Sequence, residues 1–505
     1  MPVTNESIQA LKTLVRELYC ADDIPWVIGY SGGKDSTAAL QLVWLALEEL
    51  PEGQRRKTVH VISTDTLVES PVVAKWVELS LARMKVAAEA ERLPFVPHRL
   101  TPKFNDTFWV NLLGRGYPYP RPNFRWCTDR LKISPANTFV QNVVAAHGEV
   151  IMVLGTRKAE SAARARNMEK YEKMRVRDFL SPNKTMQNEF IFSPLEAWSD
   201  DDVWTFLMLL KNPWGHSNKD LLSMYRGATV DSECPLVMNT GTPSCGKSRF
   251  GCWVCTMVEQ DKSMQAMIMN DSEKAWMTSL LELRNDIGDA GKDRDRRDFR
   301  RMGGQLKVYR GRLVHGPYKK EVREGWLRRV LEIQAEINRT GPEDFRDLNL
   351  ITLEELRVIR RIWLDDKHEF DDSLPRVYLE ATGSPYPDEL CAAGAPFGRG
   401  EWELLAAVCE EQFPDEGLAM NMMSALIDIE RKSSDMRRRK GLLQKLEAQV
   451  GKCVYQNEAD AERCALEKNR RRKEWGGKYD EKAEGGEDIE EEEEEMQLFL
   501  EGVRA

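Results

Sequence analysis

Ser31-Gly32-Gly33-Lys34-Asp35-Ser36-Thr37 stands between the short apolar run Trp26–Tyr30 and the segment Thr37–Leu50, whose apolar residues have helical spacing. A strand that feeds a glycine-rich turn and then a helix leaves several backbone N–H groups unpaired at one point. Glycines let an anion approach the backbone closely, and the N-terminus of the helix attracts negative charge. We therefore predict a phosphate-binding loop, whose nucleotide-binding residues include Gly32, Gly33 and Thr37.

This loop is not a Walker A loop, which has four residues between its first Gly and its Gly-Lys-Ser/Thr. The stretch Ser31–Ser36 instead resembles the loop of the ATP pyrophosphatase superfamily. The resemblance implies that the ligand is ATP with Mg²⁺ and that ATP is cleaved between its α and β phosphates. It places Lys34 at the β and γ phosphates and turns the hydroxyls of Ser31 and Ser36 toward phosphate oxygens. Asp35 either helps to hold Mg²⁺ or caps the helix.

The composition indicates an ordinary globular protein of two or more domains. The chain has 505 residues, of which 31% are charged and 42% are apolar. Its opening lacks a basic segment followed by an apolar core, and no apolar run approaches the roughly 20 residues that span a bilayer. We therefore expect a cytoplasmic protein with no membrane partner. The net charge of −9 argues against a chain that binds nucleic acid over its whole surface.

The first two hundred residues alternate short β-rich runs with helical segments, which indicates an α/β fold. We predict a parallel twisted sheet with helices on both faces, and the resemblance implies the adenine nucleotide alpha hydrolase-like form of it. Ligands of such sheets bind at the carboxyl ends of the strands. Asp65 and Gly155-Thr156-Arg157 each follow a strand, so we expect them beside the loop. Asp65 either accepts a hydrogen bond from the adenosine or only forms a turn. The predicted strands are Trp26–Tyr30, Thr58–Ser63, Phe95–Leu100, Val150–Leu154 and Glu189–Phe192.

Composition divides the chain into four parts. We predict an ATP pyrophosphatase domain at 1–210, a cysteine-bearing segment packed on it at 211–262, a mostly helical basic region at 263–478, and an acidic disordered tail at 479–505. Residues 100–123 are rich in Pro, Gly and aromatic residues, and we interpret them as a loop or lid over the ligand edge. The predicted C-terminal elements are a hairpin at Gln305–His315 and helices at Glu321–Asn338, Thr352–Asp365, Glu401–Gln412 and Glu416–Lys432.

Three further motifs resemble the phosphoadenylyl sulfate reductase family. They are Trp126-Cys127-Thr128-Asp129-Arg130-Leu131-Lys132, then Gly155-Thr156-Arg157 with Glu160-Ser161 and Arg164, then Ser193-Pro194-Leu195 leading into 198–204. Arginine holds phosphates by forked hydrogen bonds. We therefore take Arg157 as a catalytic candidate, and Gly155, Arg130 and Arg164 as nucleotide-binding candidates. Ser199 is a good N-cap and Asp200–Asp202 suit the positive first turn of a helix, so we interpret the last motif as architectural.

Four cysteines cluster in the spacing C-x10-C-x6-C-x2-C, at Cys234, Cys245, Cys252 and Cys255. Four thiolates fit either zinc or an iron–sulfur cluster, and the spacing does not decide between them. Cys127 stands outside this group, beside the predicted ligand edge. It is a candidate catalytic thiol, a sulfur carrier, or a small buried apolar side chain.

The motifs, the cysteine segment and the helical basic C-terminal region together resemble the DndC-like family of DNA phosphorothioation sulfurtransferases. That resemblance implies a [4Fe–4S] cluster, ATP, DNA as substrate, a cysteine desulfurase as sulfur donor, and other DNA phosphorothioation proteins as partners. The basic stretch Lys292–Arg329 has fourteen Lys or Arg against five Asp or Glu, and is either a DNA contact or a solvated face. Two alternatives remain: tRNA thiolation by a cluster-dependent pyrophosphatase, and a nucleotide-binding scaffold or redox sensor without catalysis.

Overall fold

The computed structural model describes residues 3–122, 124–175, 177–183, 186–229, 250–309, 311–387, 399–434 and 441–475. These residues form two compact units. The first consists of the described residues up to Lys103 together with Pro120–Arg284, and the second of Phe104–Tyr119 together with the described residues from Asn285 onward. The predicted acidic tail at 479–505, Cys234 and Cys245 lie outside the described residues.

The first unit alternates strands and helices. Its elements in chain order are α1 Asn5–Cys20, β1 Trp26–Gly29, α2 Lys34–Glu48, β2 Val59–Thr64, α3 Pro71–Ala90, β3 Phe95–Leu100, α4 Ser134–His147, β4 Val150–Val153, α5 Ala162–Glu172, β5 Ser181–Pro182, β6 Glu189–Phe192, α6 Asp200–Leu209, α7 Asn218–Gly227, α8 Lys262–Asn270 and α9 Thr278–Ile287, which ends just past Arg284.

The second unit is mostly helical. Its elements are α10 Ala290–Asp293, β7 Val308–Tyr309, β8 Arg312–Leu313, α11 Lys320–Thr340, α12 Leu353–Asp365, α13 Leu374–Thr382, α14 Arg399–Gln412, α15 Glu416–Ser434, α16 Leu442–Val450 and α17 Glu458–Trp475. None of the helices in the described part of the chain combines the length and apolarity that a bilayer crossing needs.

Six strands form one sheet in the order β3-β2-β1-β4-β6-β5. The strands β1, β2, β3, β4 and β6 pair in parallel, and Trp26 of β1 lies opposite Val59 of β2 and Ile151 of β4. The predicted parallel α/β sheet is therefore confirmed. The sequence did not reveal β5, which pairs antiparallel with β6, because two residues are too few to show a periodic pattern.

The two faces of the sheet pack on different helices. Trp26 and Ile28 belong to a buried cluster with apolar residues of α1, α2, α3, α6 and α7. Val27, which points to the opposite face, packs with Val140 and Val143 of α4. Helices therefore cover both faces, as predicted. The uncovered carboxyl ends of the strands are left to form a ligand site.

Gly155, two residues beyond β4, lies against the first turn of α2. A Cβ at this position would stand 2.6 Å from the carbonyl oxygen of Asp35. We expect Gly155→Ala to lower the free energy of unfolding by about 2 kcal/mol, because one of two closely packed backbones must move. The midpoint of chemical denaturation measures this loss. Gly53→Ala is the matched control, since a Cβ there meets nothing within 4 Å, and an equal loss in both variants would contradict this explanation.

His216 stacks on Trp76, with ring centroids 3.5 Å apart, and Trp76 in turn borders Gly32 of the loop. Burial, together with the Arg83 cation, lowers the pKa of His216 to about 4. In the unfolded chain the imidazole of His216 is protonated near pH 6.5. The neutral His216 of the folded protein therefore stabilises the fold above about pH 6.5, and this stabilisation is lost as the pH falls toward 4.

We expect His216→Phe to keep the stacking contact and to unfold with a weaker pH dependence. Between about pH 7 and pH 4, the free energy of unfolding of the variant should fall by about 1–3 kcal/mol less than that of the parent protein. Chemical denaturation at a series of pH values measures the difference. Parallel curves for the two proteins would show that His216 does not carry this pH dependence.

The interpretation of residues 100–123 as a loop or lid was wrong for Phe104–Tyr119. This segment contains a π-helix, Val110–Arg115, and most of its apolar side chains are buried within the second unit, although Phe104 is exposed. Trp109 Nε1 donates to the carbonyl of Leu350 at 2.7 Å, and Trp363 Nε1 donates to the carbonyl of Leu113 at 2.8 Å. The aromatic residues that suggested a lid are core residues of the helical unit.

Many cations of the basic stretch Lys292–Arg329 are held inside the second unit. Arg297 pairs with Asp293 at 3.1 Å and Arg300 pairs with Asp298 at 2.7 Å, and both arginines are buried. Arg323, also buried, pairs with Glu369. Since buried and paired cations do not reach an external phosphate, these arginines have a structural role.

Candidate nucleotide site

The glycine-rich loop has a geometry that requires glycine. Gly32 has φ of +73°, and a Cβ there would stand 2.5 Å from Val77 Cγ2. The first internal hydrogen bond of α2 runs from the amide of Thr37 to the carbonyl of Gly33, at 3.0 Å. The amides of Asp35 and Ser36 precede that bond and have no partner within the helix. The loop therefore presents backbone N–H groups at the positive end of α2.

The serine hydroxyls brace the loop. Ser36 Oγ accepts from the amide of Ser31 at 3.2 Å and donates to the carbonyl of Gly33 at 3.1 Å. The Ser31 hydroxyl lies 3.1 Å from the Ser36 hydroxyl. Both side chains line the cavity described below. They maintain the shape of the turn and also reach the space that a phosphate would occupy.

Two cations and two carboxylates form a closed charge quartet, made of Lys34, Asp35, Arg157 and Asp200. Lys34 Nζ lies 2.9 Å from Asp35 Oδ2 and 2.9 Å from Asp200 Oδ1. Arg157 Nε lies 2.7 Å from Asp35 Oδ1, and its Nη2 lies 2.6 Å from Asp200 Oδ1. Lys34 and Arg157 are only 4% and 1% exposed. The quartet therefore fixes the loop lysine in one position.

Two members of the quartet, Asp200 and Arg157, are stabilised in their charged forms. Burial alone would raise the pKa of Asp200, but the Lys34 and Arg157 cations outweigh burial, and the pKa lies below its ordinary value. Burial opposes the charge of Arg157, yet Asp35 and Asp200 raise the pKa of this guanidinium above its ordinary value. The carboxylate of Asp35 thus pairs with cations and makes no cap on α2, whose N-cap is Gly33.

A cavity of about 790 Å³ opens at the carboxyl ends of the strands. Its polar wall includes the quartet and the loop, and its apolar wall includes Ile62, Met152, Leu154 and Ala136. A concave site with an apolar side and a few convergent charged groups is typical of a small-molecule site. The apolar wall suits a flat base, and the polar wall suits phosphates.

Asp65 lines this cavity, as predicted from its place after β2. Its Oδ1 accepts from the amide of Leu67 at 2.8 Å, and its Oδ2 accepts from Arg99 Nε at 2.9 Å. Leu67 has φ of +63°. Asp65 therefore forms a turn, which confirms the second interpretation, while its hydrogen bond to an adenosine stays a prediction.

In the part of the chain that the structure describes, three of the residues predicted to bind nucleotide do not line the cavity. They are Gly32, Thr37 and Gly155. Thr37 is buried, with 1% of its surface exposed. Gly32 and Gly155 have no side chain to offer, and they act by permitting close approach of neighbouring segments. Their contribution to the site is its shape.

Arg164 and Arg130 also lie outside the described cavity wall. Arg164 Nη1 pairs with Glu160 Oε2 at 2.5 Å along the start of α5. Arg130 lies in the π-helix Thr128–Ile133. A role for either arginine in holding phosphate therefore stays a prediction.

Cys252 and Cys255 lie on one turn, in which the amide of Cys255 donates to the carbonyl of Cys252 at 3.0 Å. Cys127 lies within electrostatic range of this pair. Burial, followed by the charge of Cys255, raises the pKa of Cys127 to about 11. Burial and then Glu69, with Cys127 as a further cause, raise the pKa of Cys252. The fold thus brings Cys127 toward two thiols that lie far from it in the sequence.

Thiol donors of this kind suit zinc or an iron–sulfur cluster. In the part of the chain that the structure describes, no three His, Cys, Asp or Glu side chains are arranged to hold a metal ion. A complete ligand set therefore needs Cys234 or Cys245 in addition. The chemistry of the gathered thiols fits such a set.

Glu69 and Lys132 join the thiols to the cavity. Both side chains line the cavity, and Glu69 Oε1 lies 3.4 Å from Lys132 Nζ. Cys252 Sγ donates to the same Glu69 oxygen at 3.7 Å and lies 3.3 Å from the Thr66 hydroxyl. Glu69 therefore lies between Cys252 and the cavity that the loop also lines.

Sequence reasoning missed several residues of this site, notably Asp200, Glu69 and Tyr225. Tyr225 accepts from the amide of Lys34 at 3.2 Å, and burial raises its pKa. Asp200 stood in a motif that we interpreted as architectural, and the capping box of Ser199 confirms that function for the motif. The second function of Asp200 was visible only once α6 was placed beside α2.

The fold and the site define an α/β domain with a glycine-rich loop and a charged cavity at the edge of its sheet. Residues 25–216 match the phosphoadenosine phosphosulfate reductase domain family. The family includes ATP pyrophosphatases and sulfur-transfer enzymes. The matched region is less than half of the chain and ends before the cysteine turn and the helical unit.

Two solved structures resemble the chain. Phosphoadenylyl-sulfate reductase from Candida auris, in a phosphate complex, is 13% identical, with 41% of this chain and 88% of that chain covered and a TM-score of 0.25. The U34-tRNA thiolase NcsA from Methanococcus maripaludis, with its [4Fe–4S] cluster, is 14% identical, with 57% and 81% covered and a TM-score of 0.27. No curated protein sequence matches the chain.

Proposed function

We propose that this protein is an ATP pyrophosphatase and sulfurtransferase of DNA phosphorothioate modification. In this reaction a non-bridging oxygen of the DNA backbone is replaced by sulfur. The observation that supports it most is the charge quartet, which lines one cavity together with the loop, while Glu69 in the same wall contacts Cys252. Activation of a phosphate oxygen and delivery of sulfur to the phosphorus that bears it require neighbouring sites of this kind.

ATP would bind with its phosphates against the loop amides and Lys34, and with its base against the apolar wall. Mg²⁺ suits the carboxylate of Asp35, which lines the cavity beside Lys34. When the metal binds this carboxylate, Asp35 releases Lys34 toward the phosphates. Arg157 would hold Asp35 and Asp200 in place. Its own position is fixed because its Nη1 donates to the carbonyl of Trp198 at 3.1 Å.

The proposed reaction has two displacements. A DNA phosphate oxygen attacks the α-phosphorus of ATP, the bond between the α-phosphorus and the bridging oxygen breaks, and pyrophosphate leaves with that oxygen. A sulfur nucleophile at the oxidation level of sulfide then attacks the adenylated DNA phosphorus, and AMP leaves with the DNA oxygen. Sulfur that arrives as a persulfide requires two electrons, which a thiol reductant would supply. The contribution of the protein to both steps is positioning and charge neutralisation by Lys34 and the loop.

Cys252 and Cys255 would hold the [4Fe–4S] cluster together with two of the three cysteines Cys127, Cys234 and Cys245. A bound cluster would supply a site that binds or relays sulfur beside the cavity. The source of the sulfur would be a cysteine desulfurase. We expect that purified protein contains iron and sulfide, and that Cys252→Ser and Cys255→Ser each lose most of the iron. Stoichiometric zinc instead of iron would restrict the cysteines to a structural role.

DNA as the substrate rests on the resemblance of the cysteine spacing and the basic C-terminal region to the DndC-like family. For the DNA contact we favour the basic run 468–473 of α17, because many cations of Lys292–Arg329 are paired internally. Lys468 and Arg471 of this run are exposed. Exposed cations contact DNA through its phosphates and without reading its sequence.

Two measurements test this function. Purified protein should release pyrophosphate from ATP, and the release should rise when DNA is added. Mass spectrometry of DNA and of tRNA from a strain lacking the protein should show that phosphorothioate disappears from DNA while tRNA thiolation is unchanged. Loss of sulfur from tRNA alone would replace DNA by tRNA as the substrate, and absence of pyrophosphate release would remove the enzymatic part.

A further inference from the structure

Tyr225 of α7 belongs to the wall of the nucleotide cavity but lies beyond the matched family domain, which ends at residue 216. Its hydroxyl oxygen accepts from the amide of Lys34 at 3.2 Å. A Cβ at Gly33 would stand 3.2 Å from the same oxygen. The hydroxyl therefore lies directly against the turn that leads into α2, where the loop presents its backbone N–H groups.

The aromatic ring of Tyr225 is held by two other rings. It packs edge-on against Trp204 of α6, with ring centroids 5.2 Å apart, and edge-on against Phe250, with centroids 4.8 Å apart. Trp204 is fully buried, and Asp200 of the quartet lies on the same helix. The helix that carries Asp200 therefore also fixes the phenol, and the hydroxyl is held in one position at the loop.

The described residues offer no acceptor for the hydrogen of this hydroxyl. A phenol can accept and donate at the same time. In the described part of the chain, the Tyr225 side chain makes one hydrogen bond, which it accepts from Lys34. Burial raises the pKa of Tyr225, with the charges of Asp35 and Asp200 as further causes, so the phenol keeps its proton. A buried donor in this state is costly unless water or a ligand satisfies it.

The charges around the hydroxyl favour a ligand that supplies acceptor oxygens. The carboxylates of Asp35 and Asp200 already pair with Lys34 and Arg157. The four other carboxylates of the cavity wall are also paired with cations, in the pairs Asp65 with Arg99, Glu69 with Lys132, Glu78 with Lys75, and Glu160 with Arg164. The donors that remain at the start of α2 are the amides of Asp35 and Ser36 and the phenol. Together they suit the oxygens of a phosphoryl group.

We propose that the Tyr225 hydroxyl donates a hydrogen bond to the pyrophosphate part of bound ATP, beside the amides of Asp35 and Ser36. This inference rests on the proposed function, which places the ATP phosphates at the loop. The hydroxyl accepts from the Lys34 amide and donates to a phosphate oxygen, so it joins the shape of the turn to the ligand. It stays on the pyrophosphate while the bond to the α-phosphorus breaks, and it stabilises the negative charge of the leaving group.

Isothermal titration of the full-length protein with inorganic pyrophosphate and with AMP tests this assignment. Tyr225→Phe keeps the ring and should bind pyrophosphate about tenfold more weakly, while its affinity for AMP stays at the parent value. Tyr19→Phe is the matched control. The Tyr19 hydroxyl also accepts from a lysine amide, that of Lys57 at 3.1 Å, but Tyr19 does not line the cavity. This control should bind both ligands like the parent protein.

Replacement of Tyr225 by 3-fluorotyrosine separates donation to the ligand from support of the loop. Fluorine makes a phenol a stronger donor and a weaker acceptor, so this variant should bind pyrophosphate at least as tightly as the parent protein. Weaker binding would show that the hydroxyl only accepts from Lys34, and the inference would be overturned. Because the variant retains the hydroxyl, it also tests the assignment if Tyr225→Phe does not fold.

Two further results would overturn the inference. One is equal pyrophosphate affinity in Tyr225→Phe and the parent protein, and the other is a parent protein that binds no pyrophosphate below about 10 mM. Failure of the proposed function gives a different result. In that case the parent protein binds pyrophosphate, and binds it through Tyr225, but releases none from ATP.

Discussion

Lys34→Ala is expected to lower pyrophosphate release from ATP by about a hundred- to a thousandfold, because it removes the cation that neutralises charge on the transferred phosphates. Lys34 is buried and bound to two carboxylates, so the substitution also leaves the quartet with an excess negative charge. Both the loss of the cation and the excess negative charge weaken the binding of the ATP phosphates. Initial rates of pyrophosphate release at saturating and limiting ATP measure the effect.

Lys85→Ala is the matched control, because Lys85 is an exposed lysine on α3. It should keep the parent rate. Thermal unfolding of both variants separates a lost active site from a lost fold. If Lys34→Ala protein is folded and still releases pyrophosphate at the parent rate, the loop is not the phosphate site. If DNA modification persists in cells that carry only this variant, the protein acts as a binding scaffold.

Asp200→Asn is expected to lower the turnover number by about a hundredfold with little change in KM for ATP. Asp200 holds both Lys34 and Arg157, at 2.9 and 2.6 Å, and asparagine keeps its size but not its charge. The two cations then lose the partner that positions them, whereas the attraction of the site for phosphates does not fall. Steady-state kinetics at several ATP concentrations separates these two parameters.

Asp201→Asn provides the control for this prediction. Asp201 is the next residue of α6 and is exposed, so the variant removes the same charge from the same helix end without touching the quartet. We expect its kinetics to match the parent protein. An equal loss of turnover in both variants would show that any negative charge at the start of α6 supports the reaction. The contact between Asp200 and Lys34 would then not be required.

The local sequence carried enough information for the central strands and for the loop. Strands β1, β2, β3, β4 and β6 lie where apolar runs predicted them, because a strand buried on both faces shows its burial in consecutive residues. The loop follows from glycine geometry and helix polarity, which are properties of adjacent residues. The start of α11 at Lys320 and of α12 at Leu353 likewise agrees with helical periodicity.

The place of Phe104–Tyr119 did not follow from the sequence. Aromatic residues among Pro and Gly suit either a lid or a core. Which of the two they form depends on the residues that pack against them. Here the partners are Leu350 and Trp363, which lie far along the chain. Local patterns report that a side chain is apolar, but they do not report which distant surface buries it.

By itself the sequence determined the class of fold and the glycine turn with Lys34 and Asp35 at the start of a helix. Only the tertiary structure decided that Asp200 closes the charge quartet, and that Glu69, in the wall of the same cavity, contacts Cys252. The physical reason is that a parallel sheet brings the ends of separate strands and the starts of separate helices to one edge. Charge and thiol contacts at that edge join residues with no local relation in the chain.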